Sequence, residues 1–438
     1  MPEVHGLGQK RIFGFWWPLA VTWLMMSLEG PFIAAVIARL PEPKFNLAAY
    51  GVAFAFAMLL ESPIILIMSA STALVHDRLS LHKLRVFTYA LNGGITLAMA
   101  LIVFTPVFGA LAEGLIGLPP EVARLTHRAA ILLLPWPAAI GYRRFYQGIL
   151  IRSGLTRLVA YGTVVRLASM GSAALAGALW GGVDGALVGA AALSAGVAME
   201  AVASRVMSLR AVRRLKGTAP KRDPAALEEN SGAMSYGFIW RFYYPLALTS
   251  VLNLGVNPVV TFFVGQSRLA IESLAVLPVV NSLVFLFGSV GLAFQEVGIA
   301  LVGQSREGYA ALRRFALVLA LCGAGGLTLV AFTPVLNLWL EALSGLSPDL
   351  ACVASMPIRL LSIMPALTVI ISFQRAMRVA AKDTPPITWA TVLEVGGIIA
   401  GLWMGIRGFH WVGATAAASA LLLGRLSGIL CLRAWNRK

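Results

Sequence analysis

The sequence predicts an all-α polytopic membrane protein, with twelve transmembrane helices in two six-helix bundles related by a pseudo-two-fold axis along the membrane normal. Three observations predict it. Of the 438 residues, 58% are hydrophobic and 12% charged, and a mean hydropathy of +0.81 lies far outside the range of soluble domains. Apolar runs of the roughly 20 residues that a spanning helix needs follow one another along the chain, separated by short charged or Pro/Gly-containing breaks. The stretch Phe15 to Pro31 (F-W-W-P-L-A-V-T-W-L-M-M-S-L-E-G-P) returns as Phe242 to Pro258 (F-Y-Y-P-L-A-L-T-S-V-L-N-L-G-V-N-P), with Pro18 on Pro245 and Pro31 on Pro258 at an offset of 227.

Taken in order, the runs place helices at 12–38, 47–75, 84–112, 123–151, 157–180 and 185–211, then at 236–264, 270–303, 309–340, 350–380, 386–406 and 410–434. The first is longer than a signal-peptide core and lacks an early small-residue cleavage site, so it reads as a retained helix. Basic residues gather at alternate breaks: Lys10 and Arg11; Arg78, Lys83 and Arg85; Arg152 and Arg157; the run Arg210 to Arg222; Arg306, Arg313 and Arg314; Lys382; and Arg433 to Lys438. By the positive-inside rule both termini are cytoplasmic, as an even helix count requires, in a multi-pass protein of the cell (inner) membrane.

The repeat continues at an offset of 228: Phe104-Thr-Pro106 matches Phe332-Thr-Pro334, Pro120 matches Pro348, Pro137 matches Pro365, and Gly185 matches Gly413. It divides the chain into an N-terminal six-helix lobe (1–216), a cytoplasmic linker (217–235) and a C-terminal six-helix lobe (236–438). Six helices per half make both halves enter from the same side, a parallel repeat common among transporters that expose a central site to each side in turn.

Several function classes are excluded. No G-x-x-x-x-G-K-[ST] run supports a P-loop ATPase, and no soluble catalytic domain fits between the spans, so the chain is not read as an enzyme. Cys322, Cys352 and Cys431 have no C-x-x-C spacing, and the five histidines are scattered, so neither a disulfide framework, a metal site nor a cofactor is expected. The formal charge of +16 is absorbed by topology rather than by nucleic acid. The expected partners are the lipid bilayer and a small anionic substrate, with the chain acting as a monomer. Glycine spacings such as Gly185-x-x-x-Gly189 read as places where helix backbones approach closely.

Ionisable groups inside spans carry the functional reading, because each is costly there without water, a partner or a substrate. Glu29 and Glu61 share one local frame, Glu29-Gly-Pro31 and Glu61-Ser-Pro63. In each, a proline two residues on kinks the helix and frees a carbonyl. At similar depth in antiparallel helices, they are candidates for a coupling site for H⁺ or Na⁺; the alternative is a structural pair with a buried arginine. The basic groups are Arg143 and Arg144 in helix 4, Arg166 in helix 5, Arg359, Arg375 and Arg378 in helix 10, and Arg425 in helix 12. Guanidinium forks match phosphate and carboxylate oxygens in pairs, so Arg359, Arg166, Arg143, Arg144, Arg375 and Arg378 are candidate anion contacts. Arg143, Arg144, Arg375 and Arg378 lie within about 12 Å of the cytoplasmic ends at ~1.5 Å per residue, where snorkelling is the alternative. Arg166 and Arg359 sit ~15 Å in. Arg166 aligns with Glu394, which makes the two candidates for an ion pair, and Arg359 is open to two readings, substrate contact or a structural pair with Glu296 or Glu61. Helices 4 and 10 are repeat equivalents, which sets their arginines on two sides of one vestibule. Asn253, Asn257 and Glu296 complete the set, Glu296 with the coupling candidates. Trp16, Trp17, Tyr243 and Tyr244 read as interfacial anchors.

F-W-W-P-L-A opening a span, A-R-L-P-E-P-K-F-N-L-A-A-Y-G-V-A-F-A at the first external loop, and Met356-Pro-Ile-Arg359-Leu-Leu-Ser-Ile-Met-Pro365 in helix 10 together resemble a prokaryotic member of the progressive ankylosis protein (ANKH) family. That family is grouped with the multidrug/oligosaccharidyl-lipid/polysaccharide (MOP, MATE-like) exporters. The resemblance spans nearly the whole chain and implies a two-lobe exporter of small polyanions such as pyrophosphate, nucleoside triphosphate or citrate. It carries the arginine of the helix-10 P-x-R motif onto Arg359. A flippase for an anionic lipid-linked precursor, a MATE-type drug/cation antiporter and a membrane scaffold or receptor are the alternatives.

Overall fold

The structure, a computed structural model, describes residues 8–115, 118–217, 235–303, 307–344 and 346–435. Its spanning elements are α1 (Gln9–Ile37), α2 (Phe45–Leu74), α3 (Arg78–Phe104), α4 (120–152, built from Pro120–Leu132 and Trp136–Arg152), α5 (Thr156–Trp180), α6 (Gly185–Gly217), α7 (Tyr236–Val264), α8 (Glu272–Leu301), α9 (Tyr309–Phe332), α10 (Pro348–Ala380), α11 (Pro385–Gly408) and α12 (Gly413–Trp435). Among the described residues, eleven are long and apolar enough to cross a membrane. The other, α4, is broken at Leu133–Pro135 and carries Arg143, Arg144 and Arg152. No strand occurs among the described residues beyond one isolated bridge between Arg268 and Val412. Large apolar side chains face outward, among them Leu179, Trp180 and Leu321 at 78%, 86% and 74% exposure, as expected of walls solvated by lipid rather than water.

Helix 3 departs most from its expected bounds, at both ends and for local reasons. It starts at Arg78 because Asp77 caps it: the Asp77 carboxylate accepts from the Ser80 amide at 2.8 Å, and the Ser80 hydroxyl accepts from the Asp77 amide, a reciprocal cap that makes the basic first turn helical. It stops at Phe104 because Pro106 holds Thr105 extended (φ −115°, ψ 166°). The same stop ends α9 at Phe332, where Thr333 before Pro334 has φ −119° and ψ 168°. In each half a short α turn and a π turn follow, Val107–Gly109 with Ala110–Leu115, and Val335–Asn337 with Leu338–Leu343.

The repeat is therefore written into the backbone. Glu42 and Leu269, 227 apart, both take the left-handed conformation (φ 51° and 54°), as do Gly154 and Lys382, and Gly182 and His410, both 228 apart. For Lys382 and His410 this is a strained conformation that glycine supplies freely in the first half. Close helix approaches recur too. A Cβ on Gly196 of α6 would stand 3.0 Å from the Arg166 carbonyl oxygen of α5, and one on Gly424 of α12 would stand 2.5 Å from the Glu394 carbonyl oxygen of α11. Gly196 matches Gly424 and Arg166 matches Glu394 at the 228 offset.

Two compact units divide the chain: a first unit, Met25–Ala247, and a second unit, Met1–Leu24 with Leu248–Lys438. The division falls inside α1 and α7, so each unit holds the opening turns of the other half's first helix. The sequence-based lobes met at a linker, and residues 218–234 of that linker lie outside the described residues. In the second unit the Trp16 indole donates from Nε1 to the Val290 carbonyl of α8 at 3.0 Å. In the first, the Tyr243 hydroxyl donates to the Pro63 carbonyl of α2 at 2.7 Å. Trp16 matches Tyr243 and Pro63 matches Val290 at the 227 offset, so one contact is made twice with the helix starts exchanged. Both aromatics are buried, Trp16 at 6% and Tyr243 at 1%. The reading of these two as interfacial anchors is corrected: they tie helices together, while Trp17 and Tyr244 beside them are exposed.

Candidate functional site

In the first unit both expected helix breaks are present. α1 is interrupted at Leu28, so that Glu29 opens its second segment, and α2 ends its first segment at Glu61 before the 3-10 turn Ser62–Ile64. The matching stretches of α7 and α8 run through as continuous helices, Tyr236–Val264 and Ala270–Leu301. A proline alone thus does not break these helices, since Pro258 and Pro278 lie inside continuous ones. In α2 the Tyr243 hydroxyl satisfies a carbonyl of the irregular turn, which removes part of the cost of an unpaired group in the membrane.

Glu29 and Glu61 face one connected set of ionised groups, all in the first unit. Glu29 Oε2 lies 2.5 Å from Arg166 Nη2. Arg166 Nη1 reaches Glu200 Oε2 of α6 at 3.5 Å, and Arg143 of α4 pairs with that same oxygen. Gln147 Nε2 donates to Glu200 Oε1 at 2.9 Å, and the Thr163 hydroxyl to the same oxygen at 3.4 Å. Glu61 accepts from the Trp136 indole, whose ring lies beneath the Arg166 guanidinium with Cζ 5.5 Å from the centroid. The positive charges of Arg144, half-buried on α4, and of Arg143 act on Glu61 as well. Glu200 is fully buried and Arg143 is 2% exposed. Arg143 therefore does not snorkel: burying it is tolerable because its charge meets the Glu200 carboxylate, to which Nη1 donates. Three arginines face three glutamates, and the Oε1 atom of Glu29 is buried without a hydrogen-bond partner.

The second unit has a polar cluster at the matching place. Glu394 of α11 takes Arg375 Nη2 of α10 at 3.2 Å on Oε2 and Arg425 Nε of α12 at 3.1 Å on Oε1. Arg375 Nη2 also donates to the Thr391 hydroxyl at 3.1 Å. Arg378 pairs with Asp383 at 2.5 Å. The candidate ion pair between Arg166 and Glu394 is not formed: each occupies the matched position of its own unit and takes partners there, Glu29 and Glu200 in one case and two arginines in the other.

Arg359 is also corrected in depth and partners. α10 starts well beyond the end of α9, so Arg359 stands level with that end. Its Nε donates to the Ala331 carbonyl at 3.4 Å and its guanidinium lies 5.8 Å from the Phe332 ring centroid. Among the described residues no ion pair joins it to Glu296 or Glu61. The Thr-Pro stop leaves terminal carbonyls of α9 without amides, and a cation there also meets the negative end of the helix dipole. In the first half His127 Nε2 does the same for the Val103 carbonyl at 2.7 Å; Val103 matches Ala331, and His127 lies one turn from the position matching Arg359. Asn253 and Asn257 are exposed on α7, and Glu296 is buried in α8. A cavity of about 370 Å³ beside the end of α3, lined in part by Glu113, Arg124 and His127, shares no residue with either cluster. No group of three metal-ligating side chains occurs among the described residues.

Glu200 was legible in the sequence by the test that flags Glu29, an acid in a long apolar run, yet nothing in the repeat draws attention to it, because Gly428 stands at its matched position. Gln147, Thr163 and Trp136 carry no such signal; only tertiary packing shows them.

The fold that these elements build is that of the MATE transporters of the MOP superfamily. An outward-facing multidrug resistance MATE transporter superimposes with a TM-score of 0.75 at 16% identity, over 98% of this chain and 95% of that one. The eukaryotic MATE transporter AtDTX14 gives 0.75 at 13% identity over the same shares. A MOP superfamily transporter from Pyrococcus furiosus, described as having a binding pocket of reversed polarity that suggests a different function, gives 0.70 at 15% identity, also over 98% and 95%. No protein-family model and no curated protein sequence matches the chain.

Proposed function

We propose that this protein is a secondary exporter of small polyanions, of the pyrophosphate, nucleotide phosphate or citrate class, working by alternating access as a monomer of the inner membrane with both termini cytoplasmic. The observation that carries the reading is the set of guanidinium groups inside α4, α5, α10 and α12, in a chain whose fold is shared along 98% of its length with MATE transporters. Arginine-rich helix interiors suit oxyanions. A related fold described as having a pocket of reversed polarity and the resemblance to progressive ankylosis proteins support the same class. Glu29, held by Arg166 through one oxygen with the other unpartnered, and Glu61 at the second helix break are assigned the coupling of H⁺ or Na⁺.

Counterflow of labelled pyrophosphate, ATP and citrate into proteoliposomes tests the substrate class. Uptake of at least one is expected. Uptake of none, with binding of a lipid-linked sugar, replaces the reading by a flippase. The multidrug resistance neighbour favours a drug/cation antiporter as the competing reading, and ethidium efflux from the same vesicles decides for it. Glu29→Gln and Glu61→Gln, singly and together, are expected to uncouple uptake from an imposed ion gradient; uptake still driven by the gradient in the double variant removes the coupling assignment.

A further inference from the structure

We propose that Arg375 and Arg425 form a binding site for an oxyanion, a phosphate or carboxylate group being the chemistry the site takes. The proposal deepens the function above and rests on it for the transport arm of the test, but its argument is local to α10, α11 and α12 in the second unit.

Glu394 lies between the two arginines and gives one oxygen to each, at 3.2 Å and 3.1 Å. One carboxylate thus neutralises one of two guanidinium groups. The next cation on α10, Arg378, has its own acid in Asp383. Among the described residues no second carboxylate lies within 4 Å of Arg375 or Arg425. One positive charge is left over inside a bundle of spanning helices, where a charge is costly unless a partner, water or a ligand meets it.

The first unit shows that the frame does not demand this. The positions matching Arg375 and Arg425 are Gln147 and Val197, and the position matching Glu394 is Arg166; there three arginines meet three glutamates. At the matched place in the frame the excess belongs to the second unit; in the first, Arg205 of α6 also lacks an ion pair among the described residues but stacks on the Tyr146 ring, 5.0 Å from its centroid. Arg375 Nε is buried without a hydrogen-bond partner. Arg425 Nε stands 3.1 Å from Glu394 Oε1 as an ion pair, yet it too is buried without a hydrogen-bond partner. Each guanidinium offers a planar edge of two N–H groups that fits two oxygens of one anion. The side chains are 13% and 24% exposed, against 2% and 3% for Arg143 and Arg166, so each keeps some accessible surface. Glu394 competes with that ligand for the same donors, which keeps binding reversible.

The test uses the full chain, as wild type, Arg425→Gln and Glu394→Gln, in phosphatidylcholine nanodiscs, with inorganic pyrophosphate and phosphate titrated by calorimetry. Arg425→Gln leaves Arg375 and Glu394 as a neutral pair, so it is expected to fold, which heated size-exclusion profiles check. The expected result is saturable pyrophosphate binding by wild type, weakened at least tenfold in Arg425→Gln and strengthened at least tenfold in Glu394→Gln. Equal affinity in wild type and Arg425→Gln overturns the site. A second arm uses phosphatidylglycerol: lipid that co-purifies with wild type but not with Arg425→Gln, without pyrophosphate binding in phosphatidylcholine, upholds the site and identifies a lipid headgroup as its ligand. No anion bound in either lipid overturns it. Counterflow separates the two proposals. Arg425-dependent binding without exchange of any polyanion keeps the site and removes the transport reading. Exchange at the wild-type rate by an Arg425→Gln variant of undiminished affinity does the reverse.

Discussion

The first unit sets Glu29, Glu61 and Glu200 against Arg143, Arg144 and Arg166, three charges of each sign, whereas the second sets Arg375 and Arg425 against Glu394 alone. Around these clusters the two units share close helix approaches. Gly196 and Gly424 bring the fifth and sixth helices of each half together, and Thr163 and Thr391 occupy one matched position in the polar layer. Duplication thus fixed where polar side chains meet, and substitution at a handful of those positions decided their sign. The helix breaks divide the halves in the same direction, present at Glu29 and Glu61 and absent from α7 and α8. A unit with irregular backbone beside paired acids suits ion coupling; a unit with continuous helices and surplus guanidinium suits an anion.

The comparison breaks most visibly at its hub. Glu200→Ala strips Arg143 and Arg166 of their shared acid and leaves buried cations uncompensated, a loss of about 3–5 kcal/mol, expected as failure to recover monodisperse protein in detergent. Recovery at the wild-type level would mean that the set is not a structural unit. Next in size, Gly424→Ala drives a methyl against the Glu394 backbone oxygen and is expected to cost about 1–3 kcal/mol. Gly196→Ala, with a Cβ at 3.0 Å rather than 2.5 Å from its carbonyl, is expected to cost less, read as the order of the two apparent melting temperatures. Smaller again, Tyr243→Phe removes one side-chain hydrogen bond, about 0.5–1.5 kcal/mol, whereas Trp16→Phe removes one and also part of a buried ring system packed on Phe315, and is expected to cost more. A loss for Tyr243→Phe as large as that for Trp16→Phe would assign the excess to the broken helix whose carbonyl it satisfies. Last, Gly396→Ala, with open space around its Cβ, is expected to gain up to about 1 kcal/mol from helix propensity.

The number, order and most bounds of the helices are legible in the sequence because lipid imposes length and hydropathy on every span. The lobe repeat is legible through its prolines and glycines, which constrain backbone rather than partners. The charged sites are only half legible. A cost argument finds Glu29, Glu61 and Arg166 as residues that need something, yet it gives no partner, and alignment of Arg166 with Glu394 points to the wrong one because matched positions in a parallel repeat occupy like places in separate units. Arg359 misleads for a geometric reason: depth counted from its own helix start ignores that α10 begins beyond the end of α9. α4 is the converse case, a helix whose arginines lower its hydropathy below that of a span while supplying the groups that matter.

The exchanged openings of α1 and α7 bear on biosynthesis. Residues 9–24 leave the ribosome first, but the unit that receives them resumes at Leu248, about 220 residues later. The first helix must therefore enter the membrane and wait, its Trp16 indole without the Val290 carbonyl, until α8 has been made. Neither half of the chain encodes a complete packing unit, so a fragment ending in the 218–234 segment is expected to lack the Tyr243 contact that closes its own α2, and co-expression of the two fragments is expected to restore what each alone cannot fold. A duplicated chain that trades its first turns in this way makes late synthesis of the second half a condition for finishing the first.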